Sequence, residues 1–174
     1  RGIIFENAYL ELIWLADRTE AESPLIRPTR LADRLRPGPG ACPFGLGLRR
    51  TGEEAPVFTF DTWVYSPPYL PEGTSFQMAA SSEELNEPLV FYLPWATGGG
   101  HPPPEHPNQV RRVTGLEMVL PEGTSGSTTM EAVSLTDLVT FREGVEFQMV
   151  VELDNRGAGK SLDLRPDIPL RIEW

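Results

Sequence analysis

The chain has 174 residues, of which 40% are hydrophobic and 23% charged, and it carries a formal net charge of −10. It reads as a folded, soluble protein with enough apolar content for one substantial core or two small repeated units. The acidic balance argues against a nucleic-acid partner, because neutralising phosphates needs a concentrated basic surface. No apolar run approaches the roughly 20 residues of a membrane span, so no membrane partner is expected.

The opening segment, Arg1-Gly2-Ile3-Ile4-Phe5-Glu6, lacks the layout of a secretory signal and enters strand-like sequence at once, so a preceding N-terminal portion of the natural protein is expected. The next stretch, Tyr9-Leu10-Glu11-Leu12-Ile13-Trp14-Leu15, alternates as a strand. Tyr9, Glu11 and Ile13 share one face, and Leu10, Leu12 and Trp14 share the other. Glu11 is thereby expected to be embedded among bulky apolar neighbours and to face a pocket. A carboxylate removed from water must be paired, metal-bound or protonated.

Proline and glycine clusters then punctuate the chain. Pro24 to Pro28 reads as loop, Thr29 to Leu35 as a short helical stretch, and Pro37-Gly38-Pro39-Gly40 as its end. Pro43 to Arg50 is a strand with Phe44, Leu46 and Leu48 on one face and Gly45, Gly47 and Arg49 on the other. Glycines at such positions mark close approach of a ligand or a backbone, or else a bulge or sheet packing. Strands are expected at Val57 to Tyr65, Ser75 to Ala80 and Leu89 to Trp95, and the run Gly98 to Pro107 is a linker. Strands follow at Val113 to Leu120, Val145 to Leu153 and Ile168 to Trp174, with a helix around Thr128 to Phe141. The hexapeptide Leu-Pro-Glu-Gly-Thr-Ser occurs at Leu70 to Ser75 and again at Leu120 to Ser125, with turn chemistry in both places. Six residues are too few to establish a duplicated domain.

Four side chains have the chemistry of a metal site: Glu11, His101, His106 and Glu117. Carboxylate and imidazole suit several divalent metals. The two histidines lie in the proline-rich run, without helical ligand spacing, which equally describes solvated residues. Glu117 either faces a pocket or sits on the outer sheet surface. Arg49-Arg50 and Arg111-Arg112 are short basic pairs that serve either as anion contacts or as solvated faces. Gly159-Lys160-Ser161 follows a strand as a phosphate loop does, but Asp154 stands where the first glycine is required, and Pro166 interrupts any following helix. No Gly-x-Ser-x-Gly elbow occurs. The single cysteine, Cys42, excludes an intramolecular disulfide and a thiolate zinc cluster, which fits a cytoplasmic location, and it reads as a small buried or turn residue. Trp63, Tyr65, Tyr69, Tyr92 and Trp95 either pack a core or line an apolar cavity.

Tyr9 to Leu15, Pro43 to Arg50, Leu89-Val90-Phe91-Tyr92-Leu93-Pro94-Trp95 followed by His101-Pro102, and Arg111 to Glu117 together resemble a glyoxalase-like protein of the vicinal oxygen chelate superfamily. The resemblance covers about two thirds of the chain at low motif specificity, and Pro94 departs from it where an acidic or amide residue is usual. It implies paired β-α-β-β-β modules whose sheets curl around a cavity, and a divalent metal in the enzymatic branches. The expected fold is α+β, sheet-dominated with few helices and curved mixed sheets. A partial first module and linker span 1–40, a second module and linker 41–109, and a third module 110–174. Two functions follow as expectations. In a metal-dependent lyase, isomerase or dioxygenase, Glu11 would be catalytic and would bind metal with His101 and Glu117. In a metal-free binding or sequestration module, Trp63, Trp95 and Arg49 would hold a small-molecule ligand. A structural protein with exposed strand edges is a third reading, and a homo-oligomer is compatible with all three.

Overall fold

Sheets supply most of the regular structure in the computed structural model, which describes residues 1–36, 38, 40–50, 58–97, 105–124 and 126–174. The chain begins with β1 (Gly2–Ile4) and β2 (Tyr9–Glu11), continues through α1 (Arg18–Ala21) and α2 (Leu31–Arg34), and enters β3 (Gly45–Arg50). Then come β4 (Thr62–Tyr65), β5 (Phe76–Ala79), β6 (Leu89–Thr97) and β7 (Val113–Pro121). The last elements are α3 (Thr128–Ser134), β8 (Val139–Gly144), β9 (Gln148–Leu153), β10 (Ser161–Asp163) and β11 (Leu170–Glu173). The fold is α+β and dominated by mixed sheets. The chain divides into two compact units, one of Arg1–Ile13, Gly99–Gly123 and Val133–Trp174, the other of Trp14–Gly98 and Thr124–Ala132.

In the second unit the sheet order is β3-β6-β5-β4, with β3 parallel to β6 and the other pairs antiparallel. One strand is thus joined by a three-stranded meander. The helices of this unit are short, and α1 is capped locally: the Asp17 carboxylate accepts from the Thr19 and Glu20 backbone amides at 2.8 and 3.2 Å, satisfying donors that a helix start leaves open. α2 delivers Arg34 into the interior, where it is 2% exposed. Its Nη1 donates to the carbonyls of Cys42 and Glu87, and its Nη2 to those of Ser82 and Glu84, at 2.5 to 3.1 Å. Those four carbonyls flank β3 on one side and the β5–β6 connection on the other, so one guanidinium fixes two loops. Ser82 adds a reciprocal pair of 3.1 Å bonds with the Val90 backbone.

In the first unit the large sheet runs β10-β11-β9-β7-β8, with β7 parallel to β8 and β11 parallel to β9. Met118, Leu120, Met149, Val151, Leu153 and Leu170 are among its buried side chains. β1 and β2 form a separate two-stranded sheet, and the turn between them is tied to the start of β7. The Asn7 side chain accepts from the Val113 amide at 3.0 Å and donates to the Val113 carbonyl at 2.8 Å, taking the place of a strand partner. Asp154 closes the other side of that segment, its carboxylate accepting from the Arg111 and Arg112 amides. Asp154, Asn155 and Arg156 all have φ between 48 and 58°, a left-handed turn whose first two residue types tolerate that region better than most.

The expected helix over Thr128 to Phe141 is corrected. α3 ends at Ser134, where Val133 O accepts from both the amide and the hydroxyl of Thr136, and Val139-Thr140-Phe141 then pairs as β8 alongside Leu116 to Met118. β-Branched and aromatic residues favour that pleated surface. β10, three residues long, was not anticipated by the pattern. The repeated hexapeptide is a shared turn: Gly73 and Gly123 have φ of 80 and 81°, a conformation that glycine adopts at no steric cost.

Candidate functional site

Register sets out one face of the β3–β6 sheet residue by residue. Gly47 pairs with Phe91, Phe91 with Met78, and Met78 with Trp63, so these four form one row. The neighbouring row holds Arg49 beside Leu93 and Phe76 beside Tyr65, joined by continuing the β5–β6 register by one step. Alternation puts both rows on the same side.

Aromatic rings connect across these rows. Ring centroids are 5.8 Å apart for Trp63 and Tyr65, 6.1 Å for Tyr65 and Phe76, 5.5 Å for Phe76 and Phe91, and 6.0 Å for Phe76 and Trp95. These separations, with edge and tilted geometries dominating, are those at which aromatic pairs attract beyond simple burial. Tyr65, Met78 and Leu89 are buried together, the half-buried Leu31 of α2, Trp63, Phe76 and Phe91 pack against them, and Trp95 is 45% exposed. Burial first, and Tyr69 second, push the Tyr65 phenol above its ordinary range. The Trp63 indole Nε1 is buried without a hydrogen-bond partner.

The glycine strand has a packing cause. A Cβ placed on Gly47 would lie 3.0 Å from the Phe91 ring, so the ring leans across β3 where any side chain would stand. Gly45 and Gly47 remain exposed on that side.

The residues expected to carry chemistry separate into two sets. Arg49, Trp63 and Trp95 come to this one face, and Arg49 also holds a contact within the chain. Glu11 does not occupy the enclosed position expected of it. It is exposed at the end of β2, a strand of three residues in a two-stranded sheet, with Ile4, Tyr9 and Ile13 also more than half exposed. A hairpin alone supplies no second layer to cover a face. Glu11 nonetheless acts on its neighbour: the Tyr9 phenol is raised by burial and, secondarily, by the Glu11 charge. Glu117 receives Arg142 Nη1 at 3.3 Å on both carboxylate oxygens. His106 packs against the Phe5 ring at 5.4 Å, and its Nε2 lies 2.8 Å from the Ile4 carbonyl. His101 lies outside the described residues. Among the described residues no three His, Cys, Asp or Glu side chains converge as metal ligands.

Sequence reasoning gave no place to Arg34, whose partners lie 8 to 53 residues away in the chain. No local pattern marks such a residue. The Cys42 thiol is fully buried next to it, and desolvation pushes it up to about 11, which keeps it protonated and inert. Glu87, also buried, accepts from the Ser127 hydroxyl at 2.6 Å.

Comparison with protein-family models, with curated proteins and with solved structures returned no match. Among the described residues no helix is long and apolar enough to cross a membrane.

Proposed function

We propose that the chain is a glyoxalase-like small-molecule binding protein whose ligand surface is the aromatic face of the β3–β6 sheet. The observation that carries this reading is the contact series Trp63, Tyr65, Phe76, Phe91 and Trp95 on one side of a single sheet, with Tyr65 buried, Trp63, Phe76 and Phe91 half-buried and the Trp95 indole exposed. Ligand surfaces are mostly apolar and aromatic, with a few polar groups that orient the bound molecule. Arg49 supplies such a group here. The strand-then-meander order of this sheet also supports the β-α-β-β-β resemblance, although among the described residues no helix stands between β3 and β4.

The metal-dependent version finds less support in the side chains. Its proposed ligand Glu117 is engaged by Arg142, and Glu11 stands exposed on the hairpin. Among the described residues the donors do not converge to fit a divalent metal.

A thermal-shift screen over flat apolar compounds tests the binding reading. The expected result is selective stabilisation by one compound class that disappears in Trp95→Ala. Stabilisation that persists in Trp95→Ala would place the ligand elsewhere, and no response across the classes would favour the structural reading.

A further inference from the structure

The outer edge of β2 has neither a partner nor the usual protection among the described residues. In the β1–β2 hairpin, Arg1 N donates to the Leu12 carbonyl at 2.7 Å, the Leu12 amide to the Arg1 carbonyl at 2.8 Å, and the Phe5 amide to the Ala8 carbonyl at 2.8 Å. Antiparallel pairing alternates bonded and non-bonded positions, so at Gly2↔Glu11 and Ile4↔Tyr9 the backbone groups point away from the partner strand. On the β1 side those groups are used: the Ile4 carbonyl lies 2.8 Å from His106 Nε2, and the Glu6 amide donates to the Arg111 carbonyl at 2.9 Å. On the β2 side, among the described residues, nothing bonds to the outward groups of Tyr9 and Glu11.

Edge strands are normally blunted by charges or bulges. The outer strands of the five-stranded sheet follow that rule, with Arg142 and Glu143 on β8 and Asp163 on β10. β2 instead reads apolar, acidic, apolar along one face. Tyr9 is 54% exposed and Ile13 51%, and the exposed Glu11 between them has no ion pair among the described residues. An extended segment laid along this edge gains main-chain bonds and meets side chains at alternate positions. Opposite Glu11 a Lys or Arg is favoured and an acidic residue disfavoured. A second copy of this chain is the poorer occupant, because pairing β2 with itself about Glu11 sets two carboxylates face to face and each copy carries a net charge of −10.

We propose that β2 is a docking edge for a protein partner, which adds an extended segment with a basic residue opposite Glu11 and apolar residues opposite Tyr9 and Ile13. The probe is the peptide acetyl-Thr-Val-Thr-Lys-Thr-Val-Thr-amide, whose order is the same in both directions and so suits either strand polarity. Peptides with Gln or Glu in place of its Lys are the controls. Each is titrated into the 15N-labelled full chain, and amide hydrogen exchange is followed with and without it. The Lys peptide should bind about two- to fivefold tighter than the Gln peptide, with the Glu peptide weakest. It should slow exchange at the outward amides of Tyr9 and Glu11 and leave Leu10 and Leu12, which face β1, little changed. Glu11→Gln should remove the difference between the Lys and Gln peptides while the rest of the net charge stays in place, and Glu11→Lys should reverse the order of the Lys and Glu peptides.

If the preference for Lys survives in Glu11→Gln, the peptide is answering the net charge of the chain and the proposal falls. Binding without slowed exchange at Tyr9 and Glu11 overturns it too, because no strand has been added. So does failure of all three peptides to bind. Protection of the same two amides in the free chain that is lost on dilution would assign the edge to a second copy and overturn the choice of partner.

Discussion

The five-stranded sheet and the four-stranded sheet solve the same packing problem with different side chains. In the first, Met118, Leu120, Met149, Val151, Leu153 and Leu170 are each at most 7% exposed, and flexible or branched aliphatic groups fill the space completely. In the second, aliphatic residues such as Met78 and Leu89 are buried beneath rings that stay half open, ending in Trp95. Aliphatic side chains interdigitate to native density, whereas large flat rings fixed in edge and tilted contacts leave planes available. In the closed sheet those aliphatic groups are covered. The open one keeps apolar area that a ligand can cover.

The largest expected effect falls on what holds the open sheet's surroundings in place. Arg34→Met should destabilise the second unit by about 3 to 5 kcal/mol, because it removes the one donor group serving four carbonyls in a water-poor interior. Urea denaturation followed by tryptophan fluorescence measures this, and a shift under about 1 kcal/mol would mean that water replaces the guanidinium.

Gly47→Ala comes next. Its new methyl must displace the Phe91 ring, at an overpacking cost of about 1 to 3 kcal/mol, and it should weaken binding of any flat probe through the moved ring. The matched change in the closed region is Asn7→Ala, which loses both bonds to Val113 and should cost about 1 to 2 kcal/mol without altering probe binding. Equal effects of the two substitutions on binding would erase the distinction between the regions.

Cys42 adds a pH dependence. Its folded-state thiol lies at about 11 against an ordinary 9.0, so the unfolded chain loses the proton first as pH rises. Stability from this group is therefore intact below about pH 9 and declines between about 9 and about 11. The thiol should also resist alkylation at pH 8 in the folded chain and react once urea is added.

Glu11→Gln should have the smallest effect, under about 0.5 kcal/mol, as expected for an exposed side chain away from any buried network. A larger loss would show that the hairpin face is covered in solution.

Much of the sheet structure was legible because strand periodicity is a local signal: Gly45 to Arg50, Phe76 to Ala79 and Leu89 to Thr97 follow alternation and flanking turns. The shared Gly73 and Gly123 turns were legible for the same reason. What escaped was non-local. Alternation placed Glu11 among apolar neighbours along its own strand, but whether a second layer covers that strand depends on residues far away. Arg34 drew no attention because its partners are backbone carbonyls, which have no sequence signature. The helix expected to reach Phe141 failed where β-branched residues found a strand partner in β7. Of the candidate site, the sequence identified Arg49, Trp63 and Trp95 separately. Only register shows that they share a face.

The four tryptophans provide the most direct test, since Trp63 and Trp95 belong to the proposed surface while Trp14, 66% exposed just past the hairpin, and Trp174 do not. In an 15N-labelled sample each indole gives its own N–H signal, and a flat apolar probe such as naphthalene can be titrated against all four at once. The account predicts saturable shifts at Trp63 and Trp95 with Trp14 and Trp174 unmoved. Shifts at Trp14 with Trp63 and Trp95 silent would contradict it, assigning the binding to exposed apolar residues near the hairpin instead of the aromatic face.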